Sequence, residues 1–222
     1  MNHAHRGVDD GPASEVRRMG SPVTLSGRLW RLGWDEELPP ALDGITIEMG
    51  SFAEAYPFVA EHWAAIFGDD AERFHVEELT EAKRRFWDEM DVFVFRADDR
   101  IDGIAAAHPT DWSTYYFRTF ALMPEYRERR FASAFAEHVD RVLRAAGVAR
   151  LEAECSVANV AMTRLFTSQG FLISSTVTSE RWGVMLRFTK FLDDRAEAVF
   201  RRQFVNVPAY GKRVGQPQRR KP

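Results

Sequence analysis

Cysteine is almost absent from the chain, because Cys155 is the only one among 222 residues. A disulfide within the chain is therefore excluded, which is typical of a reducing compartment and predicts a cytoplasmic location. No apolar run approaches the ~20 residues that a membrane helix needs, and residues 1–10 lack the apolar core of a secretory signal. No cluster of cysteine and histidine has metal-ligand spacing, so we expect no metal.

The chain also carries little net charge. Its 30 basic and 33 acidic residues leave a formal charge of −3, which creates no global field to attract nucleic acid or a membrane. The hydrophobic share of 45 % and the charged share of 28 % are ordinary for a soluble globular protein. The length suits one well-buried domain with extensions.

The strongest pattern runs from Phe117 to Ala146 and reads as a strand, a basic loop and an amphipathic helix. The residues of one helix face, apolar except for a histidine, recur at i, i+3 and i+4 spacing. They are Phe131, Ala134, Phe135, His138, Val139, Val142, Leu143 and Ala146. Just ahead of the helix stand Arg127, Arg129 and Arg130. Because unpaired N–H groups at a helix start attract anions, the stretch predicts a phosphate-bearing ligand; the alternative is a solvated basic turn.

The rest of the chain alternates between strand and helix patterns. Strands are predicted at 45–49, 91–96, 101–108, 113–122, 148–157, 171–179 and 182–191, and helices at 52–67, 75–89, 131–146 and 159–170. A weakly helical segment is predicted at 193–204. Strands with interleaved helices require a sheet that is covered on both faces. The predicted class is therefore α/β, with a central mixed sheet between two layers of helices.

Two stretches resemble motifs of the GCN5-related N-acetyltransferases (GNAT). MPEYRERRFASAF resembles motif A, in which Arg127, Arg130 and Ala132 take the first, fourth and sixth positions. SVANVAMTRLFTSQGF resembles motif B, a strand followed by a helix with an asparagine at its start and a glycine-phenylalanine pair at its end. The matching residues are Asn159, Ala161, Gly170 and Phe171. The order of elements over residues 44–192 is also that of the GNAT fold, whose sheet is mostly antiparallel.

The resemblance implies acetyl-coenzyme A (acetyl-CoA) as co-substrate. The acetyl donor would bind in a V-shaped gap between strands 113–122 and 148–157, against the backbone of residues 121–123. Backbone N–H groups of residues 129–132 would hold the pyrophosphate, and Asn159 would bind the pantetheine arm. The implied cofactor-binding residues are Ala121, Leu122, Met123, Arg127, Arg129, Arg130, Phe131, Ala132 and Asn159.

Two positions depart from the family pattern. Arg130 stands where the family has glycine, and its side chain could crowd the ligand or turn outward and bind phosphate. If the protein is a transferase, Arg130→Gly should restore or improve the affinity for coenzyme A. Phe166 stands where many members have the tyrosine that protonates the leaving thiolate, and it has no proton to donate. We interpret Phe166 as a core aromatic residue.

The residues of the acid–base chemistry must therefore lie elsewhere. Strand 113–122 contains no carboxylate, so His108 and Asp111, at the exit of the preceding strand, are the nearest candidate bases. A capped surface histidine is the alternative for His108. Tyr115 and Tyr116 are candidate acids, although aromatic residues in strands usually pack in the core.

Charged residues within the strands leave two interpretations open. Arg118 could face the substrate gap and suit an anionic acceptor, or it could pair with a carboxylate of a neighbouring strand. Glu152 and Glu154 share one face of their strand by period-2 alternation. One of them could act as the base, but an ion pair with Arg118 or Arg150 is the favoured interpretation.

Extensions flank the predicted domain at 1–43 and 193–222. The apolar group from Leu25 to Trp34 is predicted to pack on the domain itself, with a docking peptide as the alternative. Residues 209–222 hold five basic residues and no acidic one, which permits a weak nucleic-acid contact. Both extensions could bind partner proteins.

Three functions follow from these observations. The first is an acetyl-CoA-dependent transfer of an acetyl group to a small-molecule or protein amine. The second is a catalytically degenerate GNAT-fold subunit whose two extensions dock on neighbouring chains. A third is a protein that binds coenzyme A as a sensor without turnover.

Overall fold

The computed structural model describes residues 24–39, 41–42, 44–67, 80–127, 129–179 and 182–205. The ends of both predicted extensions (1–23 and 206–222) and the first residues of the helix predicted at 75–89 lie outside the described residues. None of the described helices is long and apolar enough to cross a membrane.

A single eight-stranded sheet forms the centre of the fold, with the strand order β1-β2-β3-β4-β5-β6-β8-β7. All neighbouring pairs are antiparallel except β5 and β6, which run parallel. The strands are β1 Ala41–Leu42, β2 Ile45–Gly50, β3 Asp91–Ala97, β4 Arg100–Pro109, β5 Thr114–Leu122, β6 Arg150–Ser156, β7 Leu172–Ser179 and β8 Gly183–Phe191. The predicted mixed, mostly antiparallel sheet is confirmed; only the two-residue β1 was not predicted.

Helices cover both faces of the sheet. They are α1 Leu25–Trp30, α2 Trp34–Glu37, α3 Phe52–Glu61, α4 Trp63–Phe67, α5 Glu81–Asp88, α6 Phe131–Ala145, α7 Val160–Ser168 and α8 Asp194–Phe200. The helix predicted over 52–67 is divided into α3 and α4 at His62, whose φ and ψ of −102° and 21° leave the helical region. Periodicity alone did not reveal this break, because the apolar pattern continues across it.

Two hydrophobic cores lie on opposite faces of the sheet. The larger core holds the apolar stripe of α6, including the fully buried Phe131, Val139 and Leu143. The smaller core holds Ala55 and Phe58 of α3. Burial of each large apolar side chain stabilises the fold by about 1.5–3 kcal/mol, so the predicted α6 stripe is a principal contributor to stability.

The segment from Leu25 to Trp34 packs on the domain, as its apolar composition predicts. Trp34 is only 3 % exposed and meets Phe93 edge-on at a centroid distance of 5.1 Å. In α1, the Ser26 hydroxyl donates to Asp91 Oδ1 at 2.8 Å, and the Tyr115 hydroxyl donates to Asp91 Oδ2 at 2.8 Å. Burial raises the pKa of Asp91 above its ordinary value, although these hydrogen bonds oppose the shift.

Candidate functional site

The parallel strands β5 and β6 separate partway along their length. They pair from Thr114 opposite Arg150 to Phe117 opposite Ala153, and no further. Strand β5 continues to Leu122 and β6 continues to Ser156. Residues 118–122 therefore have no strand partner on the β6 side, and a gap opens there towards the start of α6. This is the gap that the motif resemblance predicts.

A β-bulge marks the point where the gap begins. In the β4–β5 ladder Ala106 pairs with Thr119 and Ala107 with Phe117, so Arg118 is skipped. Arg118 is the only residue of β5 without a partner in either ladder. Bulges occur often beside active sites, where they redirect side chains.

The bulge also changes which side chains of β5 face which core. Before it Tyr115 and Phe117 contact the larger core, whereas after it Phe120 and Leu122 do. Ala121 accordingly faces the smaller core. A one-residue shift of this kind exchanges the two faces of a strand. The sequence carries no signal for it, because β5 is apolar on both sides of Arg118.

The loop between β5 and α6 brings the three predicted arginines together, but with different partners. Arg127 is occupied by the protein itself: its Nε donates to the Leu122 carbonyl at 3.1 Å, and an Nη donates to the Ala65 carbonyl at 2.5 Å. The guanidinium of Arg129 lies over the Tyr126 ring, 5.2 Å from its centroid. Arg127 therefore fastens the end of β5 to α4, while Arg129 and Arg130 remain exposed.

Arg130 is the N-cap of α6, and its φ of −72° and ψ of −8° are helical values. Because any L-residue adopts them freely, this backbone does not require the family's glycine. No side chain caps the helix, so the first N–H groups, those of residues 131–133 including Phe131 and Ala132, have no partner within the helix. The arrangement leaves the helix end open to an anion.

Asn159 is the N-cap of α7, where its Oδ1 accepts from the Met162 N–H at 3.1 Å. The side chain is exposed, and its amide nitrogen has no hydrogen-bond partner among the described residues. Phe166, on the same helix, packs against Phe171 and Phe188 at centroid distances of 5.1 and 4.9 Å. It is the core aromatic residue that the sequence predicts.

On the α5 side of the sheet, Tyr116 and Glu154 lie close to the point of separation. Glu154 accepts two hydrogen bonds from Arg187, at 2.8 and 2.5 Å. The pKa of Tyr116 is raised to about 12, mainly by burial. The negative charge of Glu154 and a hydrogen bond between Tyr116 and Glu154 add to this rise. The Tyr116 hydroxyl is therefore protonated at neutral pH. The sequence predicted an ion pair of Glu152 or Glu154 with Arg118 or Arg150, and this is confirmed for Glu152, which lies 3.4 Å from Arg150. The partner of Glu154 is instead Arg187, brought there by β8.

His108 lies beside Tyr116, with ring centroids 5.6 Å apart, and contacts Phe86 of α5 at 6.0 Å. Its Nδ1 is 3.2 Å from the Pro109 carbonyl; since a carbonyl only accepts, Nδ1 carries the proton and Nε2 the lone pair. Burial lowers the pKa of His108, although that hydrogen bond opposes the shift. His108 also borders a cavity of about 290 Å³ between α1, α5 and the end of β4.

Asp111 has a structural role in the turn between β4 and β5. Its Oδ1 accepts from the N–H and the hydroxyl of Ser113, and its Oδ2 accepts from Thr114 and Arg150. Burial opposes ionisation, but these hydrogen bonds and the charge of Arg150 outweigh it and lower the pKa of Asp111. Both oxygens are occupied, so we do not retain Asp111 as a base.

A sheet that separates at its one parallel pair, beside an open helix start, defines the fold of the GCN5-related acyltransferases. The chain belongs to the acetyltransferase (GNAT) family, because the family's model matches residues 56–171, just over half of its length. The family resemblance of the sequence motifs is thereby confirmed.

Several solved structures share the fold of this chain. The ribosomal-protein-S18-alanine N-acetyltransferase of Escherichia coli is 16 % identical, with a TM-score of 0.51 over 67 % of this chain and 94 % of that one. The ribosomal-protein-S5-alanine acetyltransferase of Vibrio fischeri is 14 % identical, with a TM-score of 0.52 over 69 % and 96 %. An N-acetyltransferase of Staphylococcus aureus Mu50 is 17 % identical, with a TM-score of 0.52 over 67 % and 99 %. At these identities the likeness concerns the fold. No curated protein matches the chain by sequence.

Proposed function

We propose that the protein is an N-acetyltransferase that transfers the acetyl group of acetyl-CoA to an amine. The observation that carries the proposal is the gap between β5 and β6, which leads from Arg118 to the open start of α6. Family membership supplies the reaction class, acetyl transfer. The degenerate-subunit alternative has no supporting observation among the described residues.

The two ends of the gap would bind different parts of acetyl-CoA, the pyrophosphate at the start of α6 and the thioester near Arg118. The N–H groups at the start of α6, with Arg129 and Arg130 beside them, would bind the pyrophosphate. The backbone of Ala121, Leu122 and Met123 would pair with the pantetheine arm, and the free amide nitrogen of Asn159 would donate to it. Strand β5 rises ~3.3 Å per residue, so the arm would extend about 17 Å from Met123 back to Arg118, and the reacting thioester would lie there.

At that end the chain offers a base and an acid. Nε2 of the neutral His108 would accept a proton from the acceptor amine, directly or through one water. The amine nitrogen would then attack the thioester carbon, the new C–N bond would form and the C–S bond would break. The Tyr116 hydroxyl would protonate the leaving thiolate. Backbone N–H groups beside the Arg118 bulge would stabilise the oxyanion of the tetrahedral intermediate.

The acceptor would approach from the side of α5, where the cavity beside His108 lies. The two ribosomal-protein acetyltransferases of the same fold act, by their names, on protein alanine residues. For this chain both small amines and protein N-termini are acceptors to test. Partner binding by residues 1–43 and 193–222 and a cytoplasmic location stay predictions.

Calorimetric titration of the full-length protein with acetyl-CoA, at two salt concentrations, tests the proposal. We expect a micromolar dissociation constant that weakens with salt, followed by thiol release when an amine panel is added. Arg195→Ala removes one exposed positive charge at the start of α8, away from the proposed site. As a control, this variant should bind acetyl-CoA as the wild type does. Absence of binding at millimolar acetyl-CoA would refute both the transferase and a coenzyme A sensor.

A further inference from the structure

Arg118 projects from the bulge onto the acceptor side of the gap. Its guanidinium carbon lies 5.0 Å from the centroid of the Trp87 ring, on α5. Trp87 in turn contacts Phe86, which borders the cavity that His108 also lines. The Arg118 side chain is nevertheless exposed. A guanidinium that rests on an aromatic ring is held in place while its N–H edge stays free.

The other cations near this site already have anionic partners. Arg187 bonds to Glu154 at 2.5 Å, and Arg150 lies 3.3 Å from Asp111 and 3.4 Å from Glu152. Arg118 has no hydrogen bond or ion pair with any described residue. The positive charge of Arg118 acts on two neighbouring groups. It helps to lower the pKa of His108, and it opposes the rise in the pKa of Tyr116.

The phosphates of acetyl-CoA would bind too far from Arg118 to be its anionic partner. Arg118 precedes Met123 by five residues, which is about 17 Å of extended strand. The start of α6, where the phosphates would bind, follows Met123 in the chain. An anion at Arg118 must therefore belong to the acceptor. The planar fork of a guanidinium matches a carboxylate through two parallel hydrogen bonds.

We infer that Arg118, positioned by the β5 bulge and by Trp87, binds a carboxylate of the acceptor, which is therefore an amine of amino-acid type. The inference rests on the proposed function and names the substrate class for the same site. The acceptor's body would occupy the cavity of about 290 Å³, and its amine would lie towards His108. Arg118 thus selects acceptors by charge.

Matched pairs of an amino acid and its amide test the inference: leucine with leucinamide, and phenylalanine with phenylalaninamide. Each is titrated calorimetrically into the full-length protein, with and without coenzyme A, so that the preference is measured even if coenzyme A does not bind. A charge-assisted bidentate contact predicts that at least one acid binds about tenfold or more tightly than its amide. The amides keep the amine and the side chain, so the loss of the carboxylate is the main difference within each pair.

Two variants assign the preference to Arg118. Arg118→Ala should reduce the ratio of acid to amide affinity to about two or less, while Arg118→Lys, which keeps the charge but not the fork, should retain part of it. Affinity for coenzyme A should stay unchanged in both variants, because the phosphates bind elsewhere. The Arg195→Ala control should keep the wild-type preference.

Three results would overturn the inference: equal binding of acid and amide, no binding of either by the wild type, or a preference that survives in Arg118→Ala. Failure of the proposed function is recognised separately, by loss of coenzyme A binding in the wild-type protein itself. A wild type that binds coenzyme A but shows no acid preference would leave the transferase intact and remove only the role of Arg118.

Discussion

Asn159 combines two roles that mutagenesis can separate. Its Oδ1 caps α7 through the Met162 N–H, at 3.1 Å, while its amide nitrogen faces solvent at the proposed pantetheine site. Asn159→Ala removes both groups. Loss of the cap costs about 1 kcal/mol, which for a chain of this size lowers Tm by about 2–4 °C. Loss of one neutral hydrogen bond to the ligand costs about 0.5–1.5 kcal/mol, or roughly 2- to 13-fold in Kd.

Asn159→Ser is the matched control. Serine is as good an N-cap as asparagine, but its shorter side chain carries no amide nitrogen. We therefore expect Asn159→Ser to unfold at nearly the wild-type Tm while it binds acetyl-CoA as weakly as Asn159→Ala. Thermal unfolding followed by circular dichroism gives the first quantity and calorimetry the second. If Asn159→Ser restores wild-type affinity, Asn159 acts only through the helix, and its assignment to the ligand is wrong.

Other predictions concern the core, the base, the loop and the thiol. Trp34→Ala should lower the free energy of unfolding, measured in urea, by about 3–5 kcal/mol. Leu29→Ala, at an exposed position, is the control, and an equal loss of stability in both variants would contradict the packing of Trp34. If His108 is the base, kcat/KM should fall as pH drops through a pKa below the ordinary 6.5 of histidine, because only neutral imidazole accepts a proton; His108→Gln should abolish that limb. For Arg130→Gly the sequence predicts tighter binding of coenzyme A, but the structure favours no tightening of acetyl-CoA binding, because the Arg130 backbone is unstrained and the side chain is exposed. Tighter binding would mean that the side chain crowds the ligand. Cys155 should react slowly with a thiol reagent, because burial raises its pKa; rapid reaction would contradict its burial.

Local patterns predicted most of the fold. The buried stripe of α6 could be predicted because its apolar residues recur at helical spacing. Strand β3 could be predicted because it is a short apolar run before a turn at Asp98, whose φ is 56°. The two short helices α1 and α2 were missed. They are too short to show periodicity, and α1 is held by tertiary bonds such as that from Ser26 to Asp91.

The roles of individual residues at the site were harder to predict from the sequence. Asp111 looked available as a base, yet Arg150, 39 positions further along the chain, neutralises it. Glu154 was assigned to the wrong partner, because Arg187 lies on β8, which inserts between β6 and β7 in the sheet. Ion pairs of this kind depend on strand order, which periodicity does not encode.

The sequence by itself determined the class of fold, the family and the position of the uncapped start of α6. Each of these depends on local spacing within a few turns or on a contiguous motif. Tertiary structure alone decided where β5 and β6 separate, which residue forms the bulge and which arginine beside the bulge has no anionic partner among the described residues. These features depend on register between strands that are distant in the chain, and a shift of one residue exchanges the two faces of a strand.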